Sequence, residues 1–207
     1  MRTRDWMNKL VSAAGFAALL AVGCQESTGS RLVTVQVSLA RADAATSVAL
    51  APQDVTSGSV DIGDVEAFTV TLDSVQLATS GSQGWQTVQP SGSVPLNLLA
   101  LPTSIPPLAL GTVTLETGPC QARLFVSGAT ISFKTSVTVG PLTFDPTPST
   151  YPVTIPSGPQ TGLKADGECT VGTTDVTLAF DGVATVGTIV ATGHGIMLTP
   201  VIRVVQP

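Results

Sequence analysis

Several groups of side chains in this sequence have types that could do chemistry, and their spacing decides what each can do. His194 is the only histidine among the 207 residues and stands in Gly193-His194-Gly195. A catalytic histidine needs a nucleophile and an orienting acid, and a zinc histidine needs two or three further Cys/His ligands. Neither set accompanies it, and Gly-X-Gly ahead of an apolar run reads as a hairpin connection with an exposed ring. Asp61, Asp64 and Glu66 offer oxygens to a calcium ion, which takes six to eight. Their spacing departs from the EF-hand loop, and a solvated turn leading into a strand explains them equally well. Gly-x-Ser-x-Gly does not occur, and no phosphate-cradling glycine pattern follows a strand and opens a helix. No catalytic residue, metal or cofactor is assigned, and the chain is expected not to be an enzyme.

Binding demands less. Gln160 and Lys164 lie in the Gly-flanked stretch Pro156 to Lys164, a candidate ligand loop with two side-chain donors and free backbone N–H groups; a structural turn with glycines at φ > 0 accounts for it too. Trp85 and Tyr151 are the only tryptophan and tyrosine beyond residue 23. So few aromatics, far apart, make a poor platform for sugars, and Trp85 is expected to cap the core at a strand start. Arg123 and Arg203 sit within apolar strands. Facing inward they would each need a carboxylate, with Asp73, Asp175 and Asp181 nearest by pattern; strand alternation instead favours the solvent face for both.

The remaining reactive residues are three cysteines. Cys24 ends a segment with Arg2, Arg4 and Lys9 at its start, an uncharged apolar run from Leu10 to Val22, and small residues at Ala21-Val22-Gly23. Such a run is too short for a membrane span, which needs about 20 residues, and has the shape of a secretory signal. It resembles the lipobox of bacterial lipoproteins, which implies thioether lipidation of Cys24 and cleavage before it. Residues 1–23 are then signal peptide, 24–31 the lipidated cysteine and a polar tether, and 32–207 the folded domain. Gln25 after the cysteine resembles the outer-membrane-directed pattern, so the protein is expected in the cell envelope, more on the outer than the inner membrane. Export leaves Cys120 and Cys169 to form one disulfide, closing a loop of 49 residues.

After residue 23 the chain has six basic and thirteen acidic residues, a balance of −7, with no basic patch for nucleic acid. Alternating apolar residues recur at Leu32–Leu39, Phe68–Leu77, Thr112–Glu116, Gln121–Ser127, Thr130–Val139, Asp175–Phe180, Ala184–Ala191 and Ile196–Val205. The alternation slips by one at Asp73-Ser74, the mark of a bulge. Turn signals such as Gly140-Pro141, Asp166-Gly167 and Asp181-Gly182 separate the runs. Leu96–Leu101 has room for a single helical turn, Ala40–Ser59 reads as an exposed insertion, and Pro141–Pro152 as an edge or irregular crossover. This pattern predicts an all-β fold, an antiparallel β-sandwich of about seven to nine strands.

Ile155 to Lys164, Thr174 to Asp181, Leu198 to Val204, Phe68 to Leu77, Trp85, Leu96 to Leu101 and Arg123-Leu124 together resemble a family of bacterial exported lipoproteins carrying a single β-sandwich domain of unassigned function. Asn97 stands where that family usually has aspartate, and Cys120 where it has an aromatic. The resemblance implies the fold and the lipid anchor and supplies no catalytic residues. Two functions follow as expectations. One is a lipid-anchored, non-catalytic binding domain for a glycan or another envelope ligand. The other is an assembly component that recognises protein through an edge strand, with a hydrolase the weaker third.

Overall fold

Val33, Val35, Val37 and Leu39 alternate with Thr34, Gln36 and Ser38, so an extended chain here has one apolar face. The computed structural model describes residues 31–42, 60–80, 84–88, 90, 92–103, 107–156, 158–172, 175–193 and 195–206, and in it this segment is β1 (Leu32–Arg41), with Val35, Val37 and Leu39 buried. The strands that follow are β2 (Val65–Thr79), β3 (Gln86–Val88), β4 (Val94–Asn97), β5 (Leu108–Glu116), β6 (Gly118–Phe133), β7 (Val137–Val139), β8 (Leu142–Phe144), β9 (Tyr151–Thr154), β10 (Leu163–Lys164), β11 (Thr170–Val171) and β12 (Asp175–Asp181). A short helix α1 (Gly182–Val186) precedes β13 (Val190–Thr192), β14 (Gly195–Met197) and β15 (Val201–Val205).

The strands assemble into two main sheets. One has the order β15-β12-β1-β5; the other runs β13-β14-β9-β6-β2-β3, with β4 also on β2 and β10 and β11 on β6, and β7-β8 forms a separate pair. Between the main sheets Val37, Leu39, Leu178 and Ile202 meet Val70, Leu72, Val75 and Leu124 in one buried core, and the Phe68 and Phe180 rings approach to 5.9 Å. The fold is all-β and sandwich-like, as the alternation predicts.

The slip at Asp73-Ser74 is a bulge. Leu72 pairs with Val126 and Ser74 with Phe125, so Asp73 is left over on β2; Thr71 pairs with Gly128, so Ser127 is left over on β6. The two extra residues answer each other, Ser127 Oγ donating to Asp73 Oδ1 at 2.9 Å, where Ser93 Oγ also donates at 2.9 Å. The shift lets Phe68, Val70 and Leu72 on one side of it, and Val75 and Leu77 on the other, all face the core. The single turn foreseen in Leu96–Leu101 is a 3₁₀ turn at Leu98–Ala100, and Asn97 Oδ1 caps it by accepting from Leu99 N while also accepting from Phe68 N.

Several expectations need correcting. The described residues hold fifteen strands rather than seven to nine, because the runs are interrupted, and two pairings, β1–β12 and β14–β9, are parallel. Ala184–Ala191 starts as helix and only its end, Val190 and Ala191, is strand: Asp181 Oδ1 accepts from Ala184 N, and this N-cap opens α1 despite its β-branched residues. Thr185 and Val186 are buried there, and Thr185 Oγ1 accepts from Val201 N at 2.8 Å, so tertiary contacts override propensity. Ile196–Val205 breaks into β14 and β15 around Pro200, which has no N–H for a ladder, and Thr130–Val139 likewise divides between β6 and β7.

Candidate functional site

The outer face of the larger sheet gathers the chain's most unusual set of side chains. On β6, Ala122 and Leu124 are buried, so Arg123 between them points away from the core. Its directly opposed neighbours are Gln76 on β2 and Lys164 on β10, and Gln76 is in turn opposite Thr87 on β3. Opposed residues share a face with Cβ atoms about 5 Å apart, so Lys164, Arg123, Gln76 and Thr87 form one row across four strands. Gln76 Nε2 donates to Thr87 Oγ1 at 3.4 Å along it. Trp85, one residue before β3, lies against the row with the Arg123 guanidinium 4.2 Å from its ring centroid.

Lys164 therefore stands in strand β10 rather than in a loop, while Gln160 is exposed in the turn before it. Gly162 between them has φ +74° and packs on the row: a Cβ there would lie 3.0 Å from the Phe125 ring and 3.2 Å from Arg123 Cβ. The glycine is thus structural, and it brings Lys164 into register with Arg123. Trp85 is half-buried and outside the core, contrary to the expectation that it caps it. The membership of Trp85 and Arg123 in the Lys164 row depends on register between distant strands, which no local pattern carries.

Two opposed cations on a sheet repel. Among the described residues neither the Arg123 guanidinium nor the Lys164 ammonium reaches a carboxylate, and the ring of Trp85 is the one partner of Arg123. Arg203 behaves otherwise. Rather than lying free on the solvent face, it pairs with buried Asp181, Nη2 to Oδ2 at 3.1 Å and Nε to Oδ2 at 3.2 Å, the alternative that pattern had allowed.

Tyr151 offers no open platform. Its ring lies against Phe144 and Phe133, and its hydroxyl accepts from Asp145 N and donates to Asp145 O. Asp61 caps the turn Ile62–Asp64 by accepting from Gly63 N, and Asp64 Oδ1 accepts from Thr135 Oγ1; among the described residues no three His, Cys, Asp or Glu side chains are grouped to hold a metal. Cys120 and Cys169 form the disulfide foreseen for them, Cα atoms 4.8 Å apart, beside the bond from Cys120 N to Cys169 O. His194, Cys24, the signal segment and nearly all of the Ala40–Ser59 insertion lie outside the described residues. Between the sheets is a cavity of about 10 Å³ lined by apolar side chains such as Leu72, Leu98 and Ile202, too small and too apolar to hold a polar ligand.

A sequence profile for a domain of unknown function, DUF4382, matches residues 44–200. The chain belongs to the DUF4382 family. No curated protein and no solved structure matches it. The matched stretch of the DUF4382 domain holds every member of the Lys164–Arg123–Gln76–Thr87 row and Trp85, but it stops short of β1 and β15, the two strands that flank β12. Among the described residues no helix is long and apolar enough to cross a membrane.

Proposed function

We propose that this protein is a lipid-anchored cell-envelope protein whose sandwich binds its ligand, without catalysis, on the outer face of the larger sheet. The anchor is supported by the basic start, the apolar run and Ala21-Val22-Gly23-Cys24. The binding face is supported above all by one observation: Arg123, laid on Trp85, is set opposite Lys164, and among the described residues no carboxylate pairs with either. A purely structural sheet would gain by placing an acid at one of the two positions. A locally disfavoured arrangement of this kind fits a site that trades stability for function.

A second reading, protein recognition through a strand edge, rests on β5. Among the described residues it pairs with β1 alone, and Leu108 near its start is exposed. An edge strand with an exposed apolar side chain is a template for an added strand. Pull-down from solubilised envelopes with the full-length protein separates the two. Loss of the retained ligand on Arg123→Gln supports the face, loss only on Leu108→Lys supports the edge, and retention indifferent to both overturns the proposal that either surface binds.

A further inference from the structure

We infer that the Trp85–Arg123–Lys164 face takes an acidic polysaccharide, its carboxylates held by Arg123 and Lys164; this rests on the reading of that face as the binding surface. The charge argument comes first. Of the six basic residues beyond residue 23, in a segment with a balance of −7, two are placed directly opposite each other, and among the described residues neither is paired with an acid. An anion bridging them removes their repulsion, so the site is complementary to negative charge although the rest of the chain is not.

Geometry narrows the ligand. The Arg123 guanidinium carbon lies 4.2 Å from the Trp85 ring centroid, a contact that restrains the long side chain, and a guanidinium can hold a carboxylate through two N–H groups at once. The neighbours are mostly neutral donors and acceptors rather than further cations: Gln76 and Thr87 in the row, exposed Gln121 two residues before Arg123, and exposed Gln160 in the adjoining turn, with exposed Asp166 two residues after Lys164 adding an acid at the row's end. Such amides and hydroxyls match sugar hydroxyls. The four strands of the row span about 14 Å, and Lys164 and Thr87 at its two ends are exposed, so a polymer crossing it gains where a small anion meets only two charges. A nucleic acid would need many more phosphate contacts than two cations provide.

The test uses full-length protein in detergent and measures affinity for alginate as a polyuronate, dextran as a neutral glucan, and inorganic phosphate, with anionic lipid vesicles and single-stranded DNA as competitors. Alginate is expected to bind, more weakly as salt rises, with dextran inert and phosphate far weaker. Arg123→Gln and Lys164→Gln should each lose about tenfold in alginate affinity. Lys164→Glu separates function from folding: it gives Arg123 an acid, so it should abolish alginate binding while raising Tm. Absence of alginate binding, alginate binding unmoved by these variants, or displacement of alginate by vesicles or DNA at equal charge overturns the inference. If a different glycan then binds in an Arg123-dependent way, the binding face stands and its ligand class changes; if no ligand depends on Arg123, both readings fall.

Discussion

Asp181 is 2% exposed and uses both carboxylate oxygens: Oδ1 caps α1 through Ala184 N, and Oδ2 holds Arg203, itself 20% exposed. A buried carboxylate stays stable only with such partners, and removing it would strand the guanidinium and uncap the helix together. Asp181→Ala is therefore expected to destabilise the fold by about 3 kcal/mol, and Asp181→Asn by less, because the amide oxygen still caps Ala184 N. Urea unfolding of both variants checks the order. At this scale the sequence was legible in part. Asp181 could be named as a partner for Arg203, yet alternation favoured the solvent face for Arg203, because the neighbours of β15 are set by its pairing with β12 and not by its own residues. Lys164 was singled out from its glycine-flanked stretch. No local pattern joins Arg123 and Trp85 to it, because Arg123 and Lys164 are 41 positions apart in the chain and only the β6–β10 pairing makes them neighbours.

Elements read more clearly than their edges. The period of two located β1, β2, β6 and β12, and the slip at Asp73-Ser74 located the paired bulges, because burial on one face fixes register. What failed was continuity: Pro200 divides one expected strand, and an N-cap turns another into α1. The disulfide acts at this level. Cys120 lies near the start of β6 and Cys169 just before β11, which pairs with β6 through Thr170 and Pro119. β11 has only two residues, and the bridge holds it on the sheet together with Gln206, whose side-chain amide accepts from Thr170 N and donates to Thr170 O. The bridge closes 49 residues, worth on the order of 4 kcal/mol by chain entropy. Reduction should lower Tm markedly while leaving alginate affinity intact below the new Tm, since Trp85, Arg123 and Lys164 do not touch the sulfurs. Calorimetry and binding with and without reductant test this, and loss of binding before unfolding would place the bridge within the site.

The whole molecule exceeds the stretch that defines its family. β1 joins β5 to β12 in the smaller sheet and buries Val35, Val37 and Leu39, but it precedes residue 44, and β15 follows residue 200. A fragment of residues 44–200 would leave β5 and β12 without the strand between them, and it should give no cooperative melting transition, whereas 25–207 should melt cooperatively; circular dichroism against temperature decides. The same strand links the fold to the proposed anchor. Between Cys24 and Leu32 lie seven residues, which reach at most about 25 Å when extended, so a lipid on Cys24 would hold the start of β1 close to the bilayer. Arg123 lies five residues along β6 from Gly118, and Thr117 beside that start bonds back to Arg31, so Arg123 of the proposed binding face lies about 17 Å along the sheet from the tethered end. One acyl chain holds a protein only reversibly, while two or more hold it stably, and the tether has Arg31 as its sole cation, too little to substitute by charge. Attachment should then depend wholly on Cys24. In cells fed labelled fatty acid, the wild-type protein is expected in membrane fractions with label, resistant to high salt. Cys24→Ser is expected to be unlabelled and either soluble or retained as the uncleaved precursor, with the sandwich of the soluble form still binding alginate. Label entering Cys24→Ser would assign the anchor to another residue, and salt-releasable wild-type protein would show that the attachment is peripheral.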